Sequence, residues 1–173
     1  MFQLKRINPE AIPGALEKAL RYRLLNEPLE AESICRDILE IDSGNQEAVA
    51  TLILALTDQF VRGLTTAWDT AREVLPLLAG DYERAYYEGI VYERWAKAQL
   101  AKGMPTEAAI DWFLKAMRCY ETADQVRPGD DPDAALRWNT CARFLEKQPQ
   151  FLQSSEAILT DTDADFVGDV PDR

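Results

Sequence analysis

Residues Tyr82–Gly129 read YERAYYEGIVYERWAKAQLAKGMPTEAAIDWFLKAMRCYETADQVRPG. Gly103-Met104-Pro105 divides the stretch into two long segments with an apolar pattern. The first is expected to be helical from Tyr82 to about Lys102, the second from Thr106 to about Val126. Ala109, Phe113, Ala116, Tyr120 and Ala123 recur at steps of three and four, which places them on one helix face. Pro128-Gly129 stops the second helix. Two such helices joined by a short turn make a helical hairpin.

Working upstream, the same signals recur. Pro13 to Leu25 predicts a first helix with Leu16, Leu20 and Leu24 as one stripe. Asn26-Glu27-Pro28 breaks it, with Asn26 a candidate cap for a second helix that runs to about Ile41. Ser43-Gly44-Asn45 ends that helix, with Gly44 suited to a left-handed closing turn. A third helix is expected from Gln46 to about Phe60 and a fourth from Ala67 to Leu78. Pro76 should loosen the fourth helix's last turn, because proline lacks an N–H. Downstream, Asp131-Pro132 begins a seventh helix that ends before Pro149. Phe2, Leu4 and Ile7 are expected to dock residues 1–12 as an arm on the first hairpin. Residues 149–173 form an acidic tail. From Gln150 onward it has six acidic residues and one basic, with too few apolar residues to order it alone. No useful strand-like alternation appears.

One order of slots occurs three times. Ala31, Cys35, Ile38 and Ser43 are spaced like Ala67, Ala71, Val74 and Ala79, and like Ala116, Tyr120, Ala123 and Pro128. Ala19 and Tyr22, Ile53 and Leu56, and Gly89 and Tyr92 precede them. This pattern resembles the tetratricopeptide repeat, a pair of antiparallel helices with a period of about 34 residues. The resemblance covers roughly residues 12–148, with departures at Lys18, Leu56 and Val74. It implies an all-α fold: a right-handed stack of about three hairpins, the third elongated, closed by a C-terminal capping helix within a domain over residues 13–148. The alternative is a helical bundle unrelated to that family. Residues 82–130 exceed the family period by roughly fifteen positions, enough to lengthen each arm of the third hairpin by about two turns. Its tip would carry Trp95, Leu100, Met104, Pro105, Ala108 and Trp112. These residues either pack arm against arm or offer a homodimer surface over residues 95–112.

The chain has 173 residues, enough for one domain with a sizeable core, and 47% of them are hydrophobic. A net charge of −11 disfavours nucleic acid or an anionic membrane surface as partner. The charge is uneven: residues 1–24 hold five basic and two acidic residues, and residues 25–60 hold one and eight. Three cysteines, Cys35, Cys119 and Cys141, form no close pair and fit buried apolar slots. No secretory signal or membrane-spanning run is evident, so a cytoplasmic protein is expected. The absence of histidine removes Ser-His-Asp and Cys-His arrangements and most zinc sites. No phosphate-cradling glycine loop is present. The acidic run from Asp161 lacks the glycine and late glutamate of a calcium loop. No enzyme activity, cofactor or metal is expected.

The resemblance implies that a partner protein or peptide lies against the first helix of each hairpin. The implied contact residues are Arg23, Asp58, Tyr86, Glu93 and Arg94, with Asn139 and Arg143 from the capping helix. Leu16, Leu20 and Leu24 are better placed in the core. One subclass of the family grips a C-terminal carboxylate through lysine, asparagine and arginine. Leu16, Leu20, Tyr86 and Ile90 stand at the matching positions, so that mode is not expected. The leading expectation is a protein-interaction adaptor. The alternatives are a small acidic chaperone for one client and a homo-oligomer built through the third hairpin. The tail's Ile158-Leu159 or Phe166-Val167 could also compete for the groove.

Overall fold

The computed structural model describes residues 2–62 and 65–149. The acidic tail, and the groove competition expected of it, lie outside the described residues. Seven α-helices and three short 3-10 turns make up the regular structure, and no strand occurs among the described residues.

Helix α1 spans Ile12–Leu24, with Pro13 in its first turn. Asn26 then adopts a left-handed φ of 59°. Its N–H donates to the Arg23 carbonyl at 3.0 Å and the Glu27 N–H to the Tyr22 carbonyl at 2.9 Å. This pair of bonds closes a helix C-terminus. Asn26 therefore ends α1 rather than capping the next helix, a role its short polar side chain tolerates. Helix α2 (Pro28–Leu39) starts directly on its proline. Between α2 and α3 the expected glycine role is also displaced. Gly44 is not left-handed, and Asn45 caps α3 (Gln46–Asp58) by accepting the Ala48 N–H at 3.0 Å.

A 3-10 turn at Phe60–Arg62 follows α3, and α4 covers Thr65–Val74. Pro76 does not loosen the last turn of a helix reaching Leu78; the α-helix ends at Val74 and the chain tightens to a 3-10 turn over Leu75–Leu77. Gln46 ties this turn to the start of α3. Its side chain donates to the Leu77 carbonyl at 3.3 Å and accepts the Ala79 N–H at 2.7 Å. The long pair is α5 (Asp81–Ala101) and α6 (Thr106–Gln125), 21 and 20 residues against 13 in α1. At 1.5 Å per residue, α5 is about 31 Å long and α1 about 20 Å. Gly103, at φ 80°, closes α5 with the same bond pair seen at Asn26. Helix α7 spans Asp133–Leu145, and the Asp131 carboxylate accepts the Asp133 N–H at 2.9 Å before it.

Each helix packs on the next in sequence, and α1, α3 and α5 also touch in series. Helix α3 meets α1, α2, α4 and α5, which is why eight of its residues are buried. The apolar interior falls into two main clusters that share α5. Val91 and Ala98 join α5 to Ala19, Cys35, Ile53 and Phe60, and Ile90 and Ala96 join it to Phe113, Tyr120 and Cys141. The small repeat positions Ala19, Gly89, Ala116 and Ala123 are all buried, as close helix contact requires. At Gly89 the helices approach so closely that an added Cβ would stand 2.5 Å from Cε1 of Tyr120.

Three apolar expectations differ from the structure. Leu16 is buried beside Ile38 and Ala48, but Leu20 is exposed and Leu24 is 89% exposed. The helix turns about 100° per residue, so a stripe of period four drifts off the buried face within three steps. In the N-terminal arm, Phe2 and Leu4 are exposed and Ile7 alone of the three packs against the first hairpin. Cys35 and Cys141 are buried as expected, whereas Cys119 is half-buried; all three are free thiols. Burial pushes each thiol up to about 12.

Candidate functional site

The site is built on the row α1, α3, α5. Arg23 lies in the last turn of α1, Asp58 at the end of α3 and Arg94 midway along α5. A carboxylate at a helix C-terminus faces the negative end of the helix dipole. Asp58 is held there by two guanidiniums. Arg23 Nε donates to Asp58 Oδ2 at 2.8 Å, and Arg94 donates to Asp58 Oδ1. Arg94 also donates to Thr57 Oγ1 at 2.8 Å. The three side chains are 17%, 24% and 25% exposed, so water reaches all of them. Burial lowers the Arg94 pKa, Asp58 opposes that, and the neighbouring charges of Arg23 and Arg137 lower it further. The group stays a cation, because guanidinium titrates far above neutral pH.

One residue earlier on α5, Glu93 has a different setting. It is 2% exposed. Its Oε2 accepts from the Tyr120 hydroxyl at 2.6 Å and from Arg137 at 3.0 Å, and its Oε1 accepts from Lys97. Burial alone would raise its pKa. Hydrogen bonds from Lys97 and Tyr120, and the charges of Lys97 and Arg137, outweigh that and lower it. Glu93 was expected to contact a partner and is instead enclosed. Consecutive helix positions point about 100° apart, so Arg94 on the open row turns Glu93 toward α6 and α7.

Tyr86 borders the Glu93 cluster through Arg137 and Tyr120. Arg137 Nε donates to its hydroxyl at 3.2 Å, and the guanidinium carbon lies 5.9 Å from its ring centre. Tyr82 stacks on Tyr86 at 5.7 Å and donates its hydroxyl to Asp131 at 3.0 Å. The structure thus gathers Arg23, Asp58 and Arg94 directly, with Tyr86 joined to Glu93 through Arg137. It does not add Asn139, which lines a cavity of about 280 Å³ between α6 and α7 with Tyr120, Glu121, Asp124, Ala135 and Trp138. Two residues along a helix turn by about 200°, so Arg137 facing α5 sends Asn139 the other way. Arg143 is exposed on α7.

Arg137 is the residue of this candidate site that sequence reasoning misses. Its use depends on how α7 crosses α5, which no local spacing encodes. The one available signal is chemical: a carboxylate enclosed at position 93 needs a nearby cation.

At the far end of the long hairpin, Trp95 and Trp112 do not stand free. Trp68 of α4 packs on them at 4.5 Å and 5.3 Å between ring centres, and Phe60 meets Trp95 edge-on at 5.4 Å. Both tryptophans therefore pack onto the preceding hairpin as well as within their own. Met104 is the large apolar residue left exposed at the turn.

No protein-family model, curated protein or solved structure matches the chain.

Proposed function

We propose that this protein is an interaction adaptor that takes a segment of a partner protein on the face formed by α1, α3 and α5. The carrying observation is the convergence of Arg23, Asp58 and Arg94 from three helices, 35 and 36 residues apart in sequence, on a water-accessible face. Charged groups recruited over such separations and left open provide orientation and partner choice. Tyr86 adds a rigid aromatic surface with a polar tip, the kind of side chain enriched where proteins bind one another. The threefold slot spacing and the buried small residues support a tetratricopeptide-like repeat as the scaffold. The reading is of a binding protein rather than an enzyme, working in the cytoplasm. Among the described residues no helix is long and apolar enough to cross a membrane.

The test is affinity capture on the full chain with identification by mass spectrometry, repeated with Arg23, Tyr86 and Arg94 changed to alanine. Captured partners should be lost from the variant while its helical circular dichroism is retained. A partner set unchanged in the folded variant would remove this face as the binding surface.

A further inference from the structure

Resting on that reading, we infer that the partner segment is acidic, with side-chain carboxylates seated on Arg23, Arg94 and Arg137 and apolar residues lying against Leu20 and Leu24. The chain as a whole carries −11, yet around the two carboxylates Asp58 and Glu93 it gathers four cations, Arg23, Arg94, Lys97 and Arg137. These two neighbouring clusters therefore carry an excess of positive charge in an otherwise acidic protein. A long polyanion such as nucleic acid would meet the surrounding acid, whereas a short acidic segment need cover only these clusters.

The guanidiniums are not used up. A guanidinium offers five N–H donors in a planar fork. Among the described residues Arg23 uses Nε alone, Arg94 uses one terminal nitrogen, and Arg137 uses Nε and one terminal nitrogen. Each keeps N–H groups without a protein partner there, on a side chain already largely withdrawn from water. Asp58 shows what those donors accept: it is a carboxylate already bridged by two of the three arginines. A partner carboxylate would pair with the N–H groups of these forks that Asp58 and Glu93 leave unused. Leu20 and Leu24 precede and follow Arg23 on the α1 surface within one turn, and both are exposed. They give an acidic segment apolar anchors beside its charges.

The experiment uses the full chain and two fluorescein-labelled probes, a short peptide alternating Asp with Leu and the same peptide with Asn for every Asp. Fluorescence anisotropy should show the Asp peptide binding about tenfold tighter than the Asn peptide, with the difference shrinking as salt screens the charges. Arg94→Ala and Arg137→Ala should each weaken the Asp peptide by about tenfold. Asp58→Asn removes the internal competitor and should tighten it, by about threefold or more. That gain in affinity is not what damage to the scaffold would produce, so it decides the matter even where an arginine variant fails to fold. Equal affinity for the two peptides overturns the acidic assignment and leaves the adaptor reading to the capture experiment. Binding of neither peptide overturns the assignment as well. If the Asp peptide binds only after Glu156, Asp161, Asp163, Asp165, Asp169 and Asp172 are changed to their amides, the occupant is the chain's own acidic segment. That result overturns the partner assignment.

Discussion

Two carboxylates, Asp58 at the end of α3 and Glu93 on α5, are clamped by cations, and they differ mainly in enclosure. Asp58 is held by Arg23 and Arg94 with about a quarter of its side chain in water. Glu93 is held by Tyr120, Lys97 and Arg137 and is 2% exposed. The groups are chemically alike, but their energetics are not. An enclosed carboxylate that loses its partners, or partners that lose it, cannot turn to water, so removal costs the whole desolvation of what remains. An open one exchanges protein partners for water at little cost. Enclosure makes Glu93 itself part of the scaffold, whereas Asp58 and the arginines around both carboxylates stay in reach of water.

The largest effect should come from Glu93→Ala. It leaves the Tyr120 hydroxyl buried without an acceptor and Arg137 without its countercharge. The expected loss is about 2–4 kcal/mol, below the top of the range for buried pairs because Lys97 and Arg137 themselves reach water. Urea denaturation measures it directly. The same cluster sets a pH dependence. Glu93 has a folded pKa below its ordinary value of 4.5. Its stabilisation is therefore complete above that ordinary value and fades as pH falls from there through the folded pKa. Wild type should lose melting temperature faster on acidification through this window than Glu93→Gln, which has no carboxylate to protonate. Parallel acid profiles would mean that Glu93 is not held as described.

Gly89→Ala should come next. On an exposed helix, alanine would stabilise over glycine by about 1 kcal/mol. Here the new Cβ would stand 2.5 Å and 2.7 Å from two ring carbons of Tyr120. That ring is fully buried and fixed by its bond to Glu93, so it cannot swing aside. A net loss of about 1–3 kcal/mol is expected from overpacking. Tyr120→Leu should recover part of the Gly89→Ala loss in a double-mutant cycle, since the smaller side chain admits the methyl group. Additive losses would place the clash elsewhere.

The ease of reading these features from sequence follows how local their causes are. The α5–α6 pair was legible because an apolar face of period 3.6 and the Gly103-Met104-Pro105 turn are local signals. That the α-helix is disturbed at Pro76 was legible for the same reason, since proline's missing N–H acts on its own turn, although the result is a tighter 3-10 turn rather than a looser one. The Arg23, Asp58 and Arg94 positions could be placed on one face through the repeat spacing. Their direct bridging could not, because it depends on the ends of α1 and α3 arriving at the middle of α5. Glu93 and Arg94 look equivalent in sequence, and only the tilt of α6 and α7 over α5 decides which one is enclosed. Leu24 misled for a related reason. It continues a stripe that starts in the core at Leu16, but α1 ends just as the stripe rotates into water.

The smallest effect should be at the open carboxylate. Arg23→Ala and Asp58→Ala should each cost about 1 kcal/mol, and their double-mutant cycle should return a coupling of about 0.5–1 kcal/mol, because water still reaches both side chains and weakens the pair. Salt sharpens the contrast with Glu93. Raising ionic strength shortens the reach of exposed charges but hardly penetrates an enclosed cluster. The Arg23–Asp58 coupling should therefore fall toward zero in concentrated salt while the Glu93→Ala loss persists. Urea melts of the four cycle proteins and of Glu93→Ala at low and high salt make the comparison. A coupling at Asp58 that survives high salt would mean that this pair is as much scaffold as Glu93. It would then have no freedom to trade its arginines to an incoming carboxylate.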